Sequence, residues 1–479
     1  MLLLAITLWV AAAHPQLVGD THGLVLSSDR VAQCLRHGPH TFCDRRPDGR
    51  IGGWVGAIYQ PGRVGPYPLM QYLLAVPLTV LRVGADATLR LLILVDFAAL
   101  LATVALVWWT AKRLGIEVWG PILTLCLVVS PLLWYSTASF GEVLAGALLV
   151  AVVAAVAGGW RPLAVTVAVA LACVTKETNP PFVVAMVLLA ASARQLPAGS
   201  VRGQREPPIA LPVTVGLALG VLLNSLFNVL RYGSIWNETY VGLSPSRLHA
   251  SLLSSNFVAL AVRRDGGLVW FWPAAVGVIA FGVIVALLPP HPRGWRRLLP
   301  FGPVALLTAN QVGLAAWISP FGWVAWGPRL SLPMVPPLLL LTAVLLGRRG
   351  ATLMGRFLRT GWIWLLGATL TIGGLPQLGF LRAGPILQRF FHPYSTCPPT
   401  PVSIHLSRTE FCRRIVTGAR IPILLDGVRT LGTPLGALAG LALAGTVAGL
   451  LTIARTTPLA VDDAADGSRS PRPDRQGSW

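Results

Sequence analysis

Apolar runs alternate with short polar interruptions along almost the whole chain. They fall at about 2–18, 89–110, 118–135, 141–158, 161–175, 179–193, 209–230, 268–288, 299–317, 329–346, 361–380 and 430–453. A helix rises about 1.5 Å per residue and the hydrocarbon layer is about 30 Å thick, so runs of roughly 17–25 residues have the length to cross it. Twelve runs, several of them short, predict about twelve transmembrane helices. No long linker separates two halves, so residues 1–453 read as a single all-α, polytopic membrane domain.

A further apolar segment, Tyr67 to Val83, is interrupted by Pro68 and Pro77 and either crosses the membrane or lies in its interface. The choice inverts every later span, and positive charge decides it. If the segment lies in the interface, the cytoplasmic loops between the second and eleventh spans carry Lys112, Arg113, Arg161, Arg194, Arg202, Arg205, Arg293, Arg296, Arg297, Arg348, Arg349, Arg356 and Arg359. The opposite loops carry Lys176, Arg231, Arg247, Arg263, Arg264 and Arg329. Thirteen against six favours an interfacial helix within a first exterior loop at 19–88, with further exterior loops at 231–267 and 381–429. The polar stretch 454–479 reads as a disordered cytoplasmic tail.

Cysteine positions support the same topology. It alone puts Cys34 and Cys43 of the first loop on the same side as Cys397 and Cys412 of the last, as two disulfides in an oxidising exterior compartment would require; four unpaired thiols are the alternative. Cys126 and Cys173 fall in apolar runs and read as packing. Met1 to Ala13 has no basic start, and Ala11-Ala12-Ala13 passes for a cleavage site, but an uncleaved first span is preferred because cleavage would leave Asp20 on a loose end.

Composition fits this picture. Of 479 residues 54% are apolar and 12% charged, with mean hydropathy +0.67. The net charge of +20 would suggest nucleic acid in a soluble protein, but here the arginines sit in short loops, so it reads as the positive-inside bias. No nucleic-acid partner is expected; membrane lipid is. Lys112 and Lys176 are the two lysines, so Lys176 at a predicted helix end stands out.

The chain has no Gly-rich phosphate loop, HExxH, paired CxxC or Ser-centred GxSxG. An activated substrate would therefore arrive through the membrane. Gly19-Asp20-Thr21-His22 directly follows the first run, and a carboxylate at the mouth of a membrane helix is a functional candidate. Asp29 is its rival, although Ser27, Ser28 and Asp29 also read as a helix start. Asp20 and His22 are too few ligands for a stable metal site on their own, which leaves a divalent metal possible but not required. Glu142, Lys176, Arg231 and Arg329 lie at predicted exterior helix ends. Each has a plainer account: a snorkelling lysine, an interfacial anchor at Arg231, or an arginine pinning a helix start. Trp323 and Trp326, with Trp108, Trp109, Trp134, Trp270 and Trp272, read as an interfacial belt, and the first two also suit stacking on a sugar ring.

These residues resemble a known pattern. An acid after the first helix, Gly65-Pro66-Tyr67-Pro68-Leu69, Ala87-x-x-Arg90-Leu91, Ser130-Pro131 to Ser136 with Phe140-Gly141-Glu142, Val174-Thr175-Lys176, Arg231-Tyr232-Gly233-Ser234 and Trp326-Gly327-Pro328-Arg329-Leu330-x-x-Pro333 are similar to the GT-C superfamily of polyprenyl-phosphate-dependent glycosyltransferases over about residues 1–346. Many members carry a paired Asp-Glu after the first helix, whereas Asp20 is followed by Thr21. The resemblance implies inverting transfer of a sugar from a polyprenyl-phosphate donor to a glycan, lipid or protein acceptor at the exterior face of a cell membrane. Asp20 or Asp29 would be the base, and Glu142, Lys176, Arg231, Tyr232, Arg329 and Trp326 would contact substrate. A transporter of a lipid-linked or small solute, or a non-catalytic subunit of an envelope-assembly complex, is the alternative. Convergence of the charged residues on one cavity would separate the enzyme from a carrier's midplane path and from a scaffold's scattered sites.

Overall fold

The computed structural model describes residues 24–25, 27–28, 32, 68–136, 141–194, 209–232, 235, 253–262, 267–289, 294–316, 329–360, 363–364, 366–368, 370–375, 428 and 431–457. Among them the chain is helical and contains no strand. The main helices are α1 (Leu69–Val80), α2 (Ala85–Arg113), α3 (Trp119–Val128), α4 (Glu142–Ala157), α5 (Pro162–Thr175), α6 (Asn179–Arg194), α7 (Ala210–Tyr232), α8 (Leu253–Val262), α9 (Pro273–Leu287), α10 (Gly302–Ala315), α11 (Val335–Arg359), α12 (Leu366–Leu375) and α13 (Pro434–Thr456). Eleven of the twelve apolar runs coincide with these helices; the first lies outside the described residues.

Five helices are long and apolar enough to cross a membrane, within Ala87–Arg113, Ala210–Val229, Arg296–Ala315, Arg329–Arg359 and Gly436–Thr456. The others are shorter. α4 has sixteen residues, which is about 24 Å of helix, so its N-terminal end comes to rest inside a 30 Å slab or close to its edge. That helix is rich in Ala and Val, apolar on every side and buried nearly throughout, as suits the centre of a bundle. Around it pack α2, α5, α6 and α11. α7 and α13 lie at the periphery, with Leu211, Leu222, Leu438 and Leu441 well exposed, as lipid-facing helices would be.

Small residues set how closely these helices approach. A Cβ at Gly220 of α7 would lie 2.5 Å from Cys173 Cβ of α5, and one at Gly216 would lie 2.6 Å from the Thr166 carbonyl oxygen. The seam is closed by Asn224, whose Nδ2 donates to Cys173 O at 2.9 Å. Cys126 and Cys173, the free cysteines among the described residues, are buried, as packing residues should be. One tryptophan of the expected belt, Trp272, departs from it, and Trp119 is buried with it. Trp272 is fully buried and donates to Cys126 O at 2.8 Å, and Trp119 is fully buried with its ring edge-on to Phe281. Trp109 and Trp270 keep the partial exposure of interfacial residues.

The doubtful segment forms α1, twelve residues or about 18 Å of helix, and the Tyr72 ring meets Phe227, near the C-terminal end of α7, tilted at 5.1 Å. α11 is two helices in one run: at Gly347 the backbone turns to φ 53° and ψ −144°, a region that side chains other than hydrogen rarely adopt. The first half is buried, and the second presents Arg348, Arg356 and Arg359 outward over buried Ala351, Met354 and Leu358. The break sits among loops expected on one side. Arg348 reaches Gly115, where a Cβ would be 3.4 Å from its guanidinium; Arg349 donates to Leu288 O; Arg194 lies against Gly159. The bundle therefore has an arginine-rich end, opposite the end where α4 begins. The loop expected at 231–267 also holds structure: α8 packs on α10, and Asn256 donates to Ala315 O at 3.0 Å. Of the stretch 454–479 expected as a disordered tail, α13 takes in residues up to Thr456, and those past Thr457 lie outside the described residues.

Candidate functional site

The site begins with the start of α4. Gly141 takes a left-handed conformation, φ 76°, and Glu142 follows as the first helical residue, where the helix dipole favours a carboxylate. A glycine cannot cap a helix with a side chain. That role falls to Asp96 of α2, whose Oδ1 accepts from Leu144 N at 3.3 Å, with the Gly141 amide also directed at its carboxylate. Gln71 of α1 closes over the turn, so that a Cβ at Gly141 would be 2.5 Å from its amide nitrogen.

Lys176 is placed by the end of α5. Its backbone is extended, which stops the helix, and the turn is locked by Asn179, whose Nδ2 donates to Ala172 O at 2.9 Å and to Thr175 Oγ1 at 3.1 Å. Arg329 opens a 3-10 turn, Arg329–Met334, ahead of α11. Pro333, one turn on from Arg329, lies against Gly146, one turn on from Glu142, so the two elements meet in register. Ser331 in the same turn accepts from Gln311 of α10 at 2.7 Å.

These elements bring three predicted residues together. Glu142 Oε1 accepts from Arg329 Nε at 2.9 Å and lies 3.6 Å from Lys176 Nζ. The second contact is an ion pair beyond hydrogen-bond length. The Glu142 side chain is 2% exposed, that of Arg329 11% and that of Lys176 19%. Burial pulls the Lys176 ammonium below the usual lysine range; the Glu142 carboxylate opposes that pull and Arg329 adds to it. Among the described residues Glu142 Oε2 is buried and has no hydrogen-bond partner. A buried carboxylate oxygen is costly to leave unsatisfied, so this atom is suited to accept a hydrogen bond from a bound group.

The other expected site residues divide into two sets. Arg231 and Tyr232 form the last turn of α7, one turn past Phe227 and so at the same end of the bundle as Lys176. Asp20, Asp29 and Trp326 lie outside the described residues, as do Cys34, Cys43, Cys397 and Cys412 with their expected pairing. Among the described residues no three His, Cys, Asp or Glu side chains gather as a metal site would need. Asp96 is the residue the sequence reading missed. It is a lone acid in the run 89–110 and is 3% exposed, and intramembrane acids are functional candidates by default. Asn179 and Gln311 carried no such signal, since amides in apolar runs are common.

No protein-family model matches this chain, and no curated protein is similar to it at a significant level. Among solved structures it is similar to a crystal structure of ArnT from Cupriavidus metallidurans bound to undecaprenyl phosphate. The likeness covers 97% of this chain and 77% of that one, with a TM-score of 0.47 and 16% identity, which is a likeness of outline.

Proposed function

We propose that the chain is an inverting, GT-C-type membrane glycosyltransferase that moves a sugar from a polyprenyl-phosphate donor to a cell-envelope acceptor on the exterior face of the cytoplasmic membrane. The observation that carries this reading is the meeting of Glu142, Lys176 and Arg329, drawn from three separated segments, around one carboxylate oxygen at one end of the bundle. A carrier would need a path along the midplane, and a scaffold would have no need to gather these charges.

In the reaction, the acceptor hydroxyl gives its proton to the carboxylate of Asp20, or of Asp29 in its place. Its oxygen attacks the anomeric carbon from the face opposite the phosphate. The carbon–oxygen bond to phosphate breaks, and its electron pair stays on the lipid phosphate. Negative charge builds on the leaving oxygen, and Lys176 and Arg329 are the cations suited to receive it. Arginine presents five N–H donors, one of them engaged by Glu142, while lysine acts as a point charge. Arg231 and Tyr232, at the same end, would extend the phosphate site, and Trp326 would stack on the sugar.

The test is transfer of radiolabelled sugar from a panel of polyprenyl-phosphate donors to envelope acceptors, in membranes carrying wild type, Asp20→Asn, Asp29→Asn or Arg329→Gln at equal expression. Loss of a general base should lower the rate about 10²–10⁴-fold. Such a loss in Asp20→Asn identifies the base, and the same loss confined to Asp29→Asn moves the role there. No transfer from any donor by wild type would reject the enzyme. Addition of EDTA tests the divalent ion that Asp20 and His22 would share.

A further inference from the structure

At the arginine-rich end a groove of about 680 Å³ runs between α12 and α13. Gly367 and Ala368 on one side and Ala444 and Ala448 on the other leave it open, Val447 and Leu451 make its floor apolar, and Arg359 and Arg455 stand at one end. Among the described residues no acid lines it. Neither arginine has a carboxylate within ion-pair distance among the described residues, and both are exposed. Each sits in the last turn of a helix, where the dipole favours a cation. The dipole accounts for the residue type but not for two uncompensated guanidinium groups converging on one apolar groove.

The position of the groove narrows its occupant. Arg359 ends the second half of α11, which begins at Arg348 and Arg349, so the charges lie at the bundle's arginine-rich surface. Trp364, 70% exposed beside them, has the character of an interfacial residue. The apolar part descends along α13, a long span of which only 17% is buried, so the groove is open sideways to the bilayer. Two cations at the membrane surface above a laterally open apolar channel match a phosphate above acyl chains. We propose that this groove binds one anionic glycerophospholipid from the adjacent leaflet, its phosphate held by Arg359 and Arg455 and an acyl chain lying along Val447 and Leu451. A free phosphate would leave the apolar length unfilled, and a zwitterionic lipid would bring its own cation up to the two arginines.

The test uses the full chain purified in mild detergent and exposed to phosphatidylglycerol or phosphatidylcholine, with retained lipid counted by native mass spectrometry. Wild type should retain one phosphatidylglycerol with about ten-fold or greater preference, from two arginines at a membrane surface. The double variant Arg359→Gln/Arg455→Gln should lose that preference, and Ala448→Trp should lose the bound lipid with the charges intact. Arg296→Gln/Arg297→Gln, which removes two charges outside the groove, should behave as wild type. Equal retention of the two lipids, or equal loss in the control pair, would overturn the site in favour of diffuse surface charge. Displacement by inorganic phosphate would overturn it in favour of a bare anion, and retention of an acidic peptide in preference to phosphatidylglycerol would overturn it in favour of a protein partner. Sugar transfer enters none of these readouts.

Discussion

Two carboxylates at the head of α4 do different work, and substitutions should tell them apart. Asp96 supplies the cap that Gly141 cannot, so what matters there is an acceptor oxygen at Leu144 N. Asp96→Asn keeps one and should unfold close to wild type, whereas Asp96→Leu leaves a buried N–H unpaired and should cost about 1–3 kcal/mol, measured by unfolding in detergent. Equal losses in the two variants would reject the capping role. Glu142 is held by charge. Removing either member of a buried pair leaves the other uncompensated, a loss of about 3–5 kcal/mol, while removing both can be far milder. Glu142→Gln leaves two cations facing each other and should destabilise strongly, Arg329→Met leaves Glu142 its Lys176 partner and should cost less, and the double variant should lose less than the sum; simple additivity would show that the pair is not coupled. At this scale the sequence was legible where a charged residue stood at a predicted helix end, as with Glu142, Lys176 and Arg329. Asp96 was passed over because it sits in mid-run, where a search for charges at helix ends does not look, although its isolation among apolar residues was itself a signal.

Apolar runs located the helices well because a membrane span must satisfy its own backbone and can do so only as a helix. What the runs did not reveal is how helices end or touch. Trp272 reads as interfacial from its place near a run end, yet tertiary packing buries it. The break at Gly347 was hidden because a glycine beside two arginines looks like an ordinary loop. Glycine at close approach and glycine facing lipid also look alike in sequence, and the structure separates them. At Gly220 a Cβ would meet Cys173 at 2.5 Å, while at Gly449 nothing lies within 4 Å. Gly220→Ala should therefore destabilise by about 1–3 kcal/mol through overpacking of the α5–α7 seam. Gly449→Ala, mid-helix and unopposed, should stabilise by about 0.5–1 kcal/mol because the unfolded chain loses freedom. Thermal unfolding of the two alanine variants in one detergent checks the pair, and a shared sign would refute the packing account.

For the molecule as a whole, the loops that the charge count assigned to one side are those the structure gathers at one end. Gly115 meets Arg348, Leu288 meets Arg349 and Gly159 meets Arg194, while Glu142, Lys176 and Arg329 meet at the other. Charge bias and three-dimensional contact are independent constraints, since one reflects insertion and the other packing. A crossing α1 would invert the later spans against the charge count, with the Glu142 cluster on the cytoplasmic side and no route to an exterior acceptor. Orientation therefore carries the functional reading, and single cysteines can test it. Cys126 and Cys173 are buried and should stay silent to a membrane-impermeant maleimide, so a background with Cys34, Cys43, Cys397 and Cys412 changed to serine is suitable. Thr178→Cys, exposed two residues past Lys176, should label from outside intact cells. Arg297→Cys and Arg356→Cys, both exposed at the arginine-rich end, should label in inverted vesicles and not in intact cells. If the serine background fails to fold, reporter fusions after Thr178 and after Arg297 read the same two sides. Labelling of Thr178→Cys from the cytoplasmic side would leave the two-ended architecture standing but would place the cluster where an exterior transferase has no use for it.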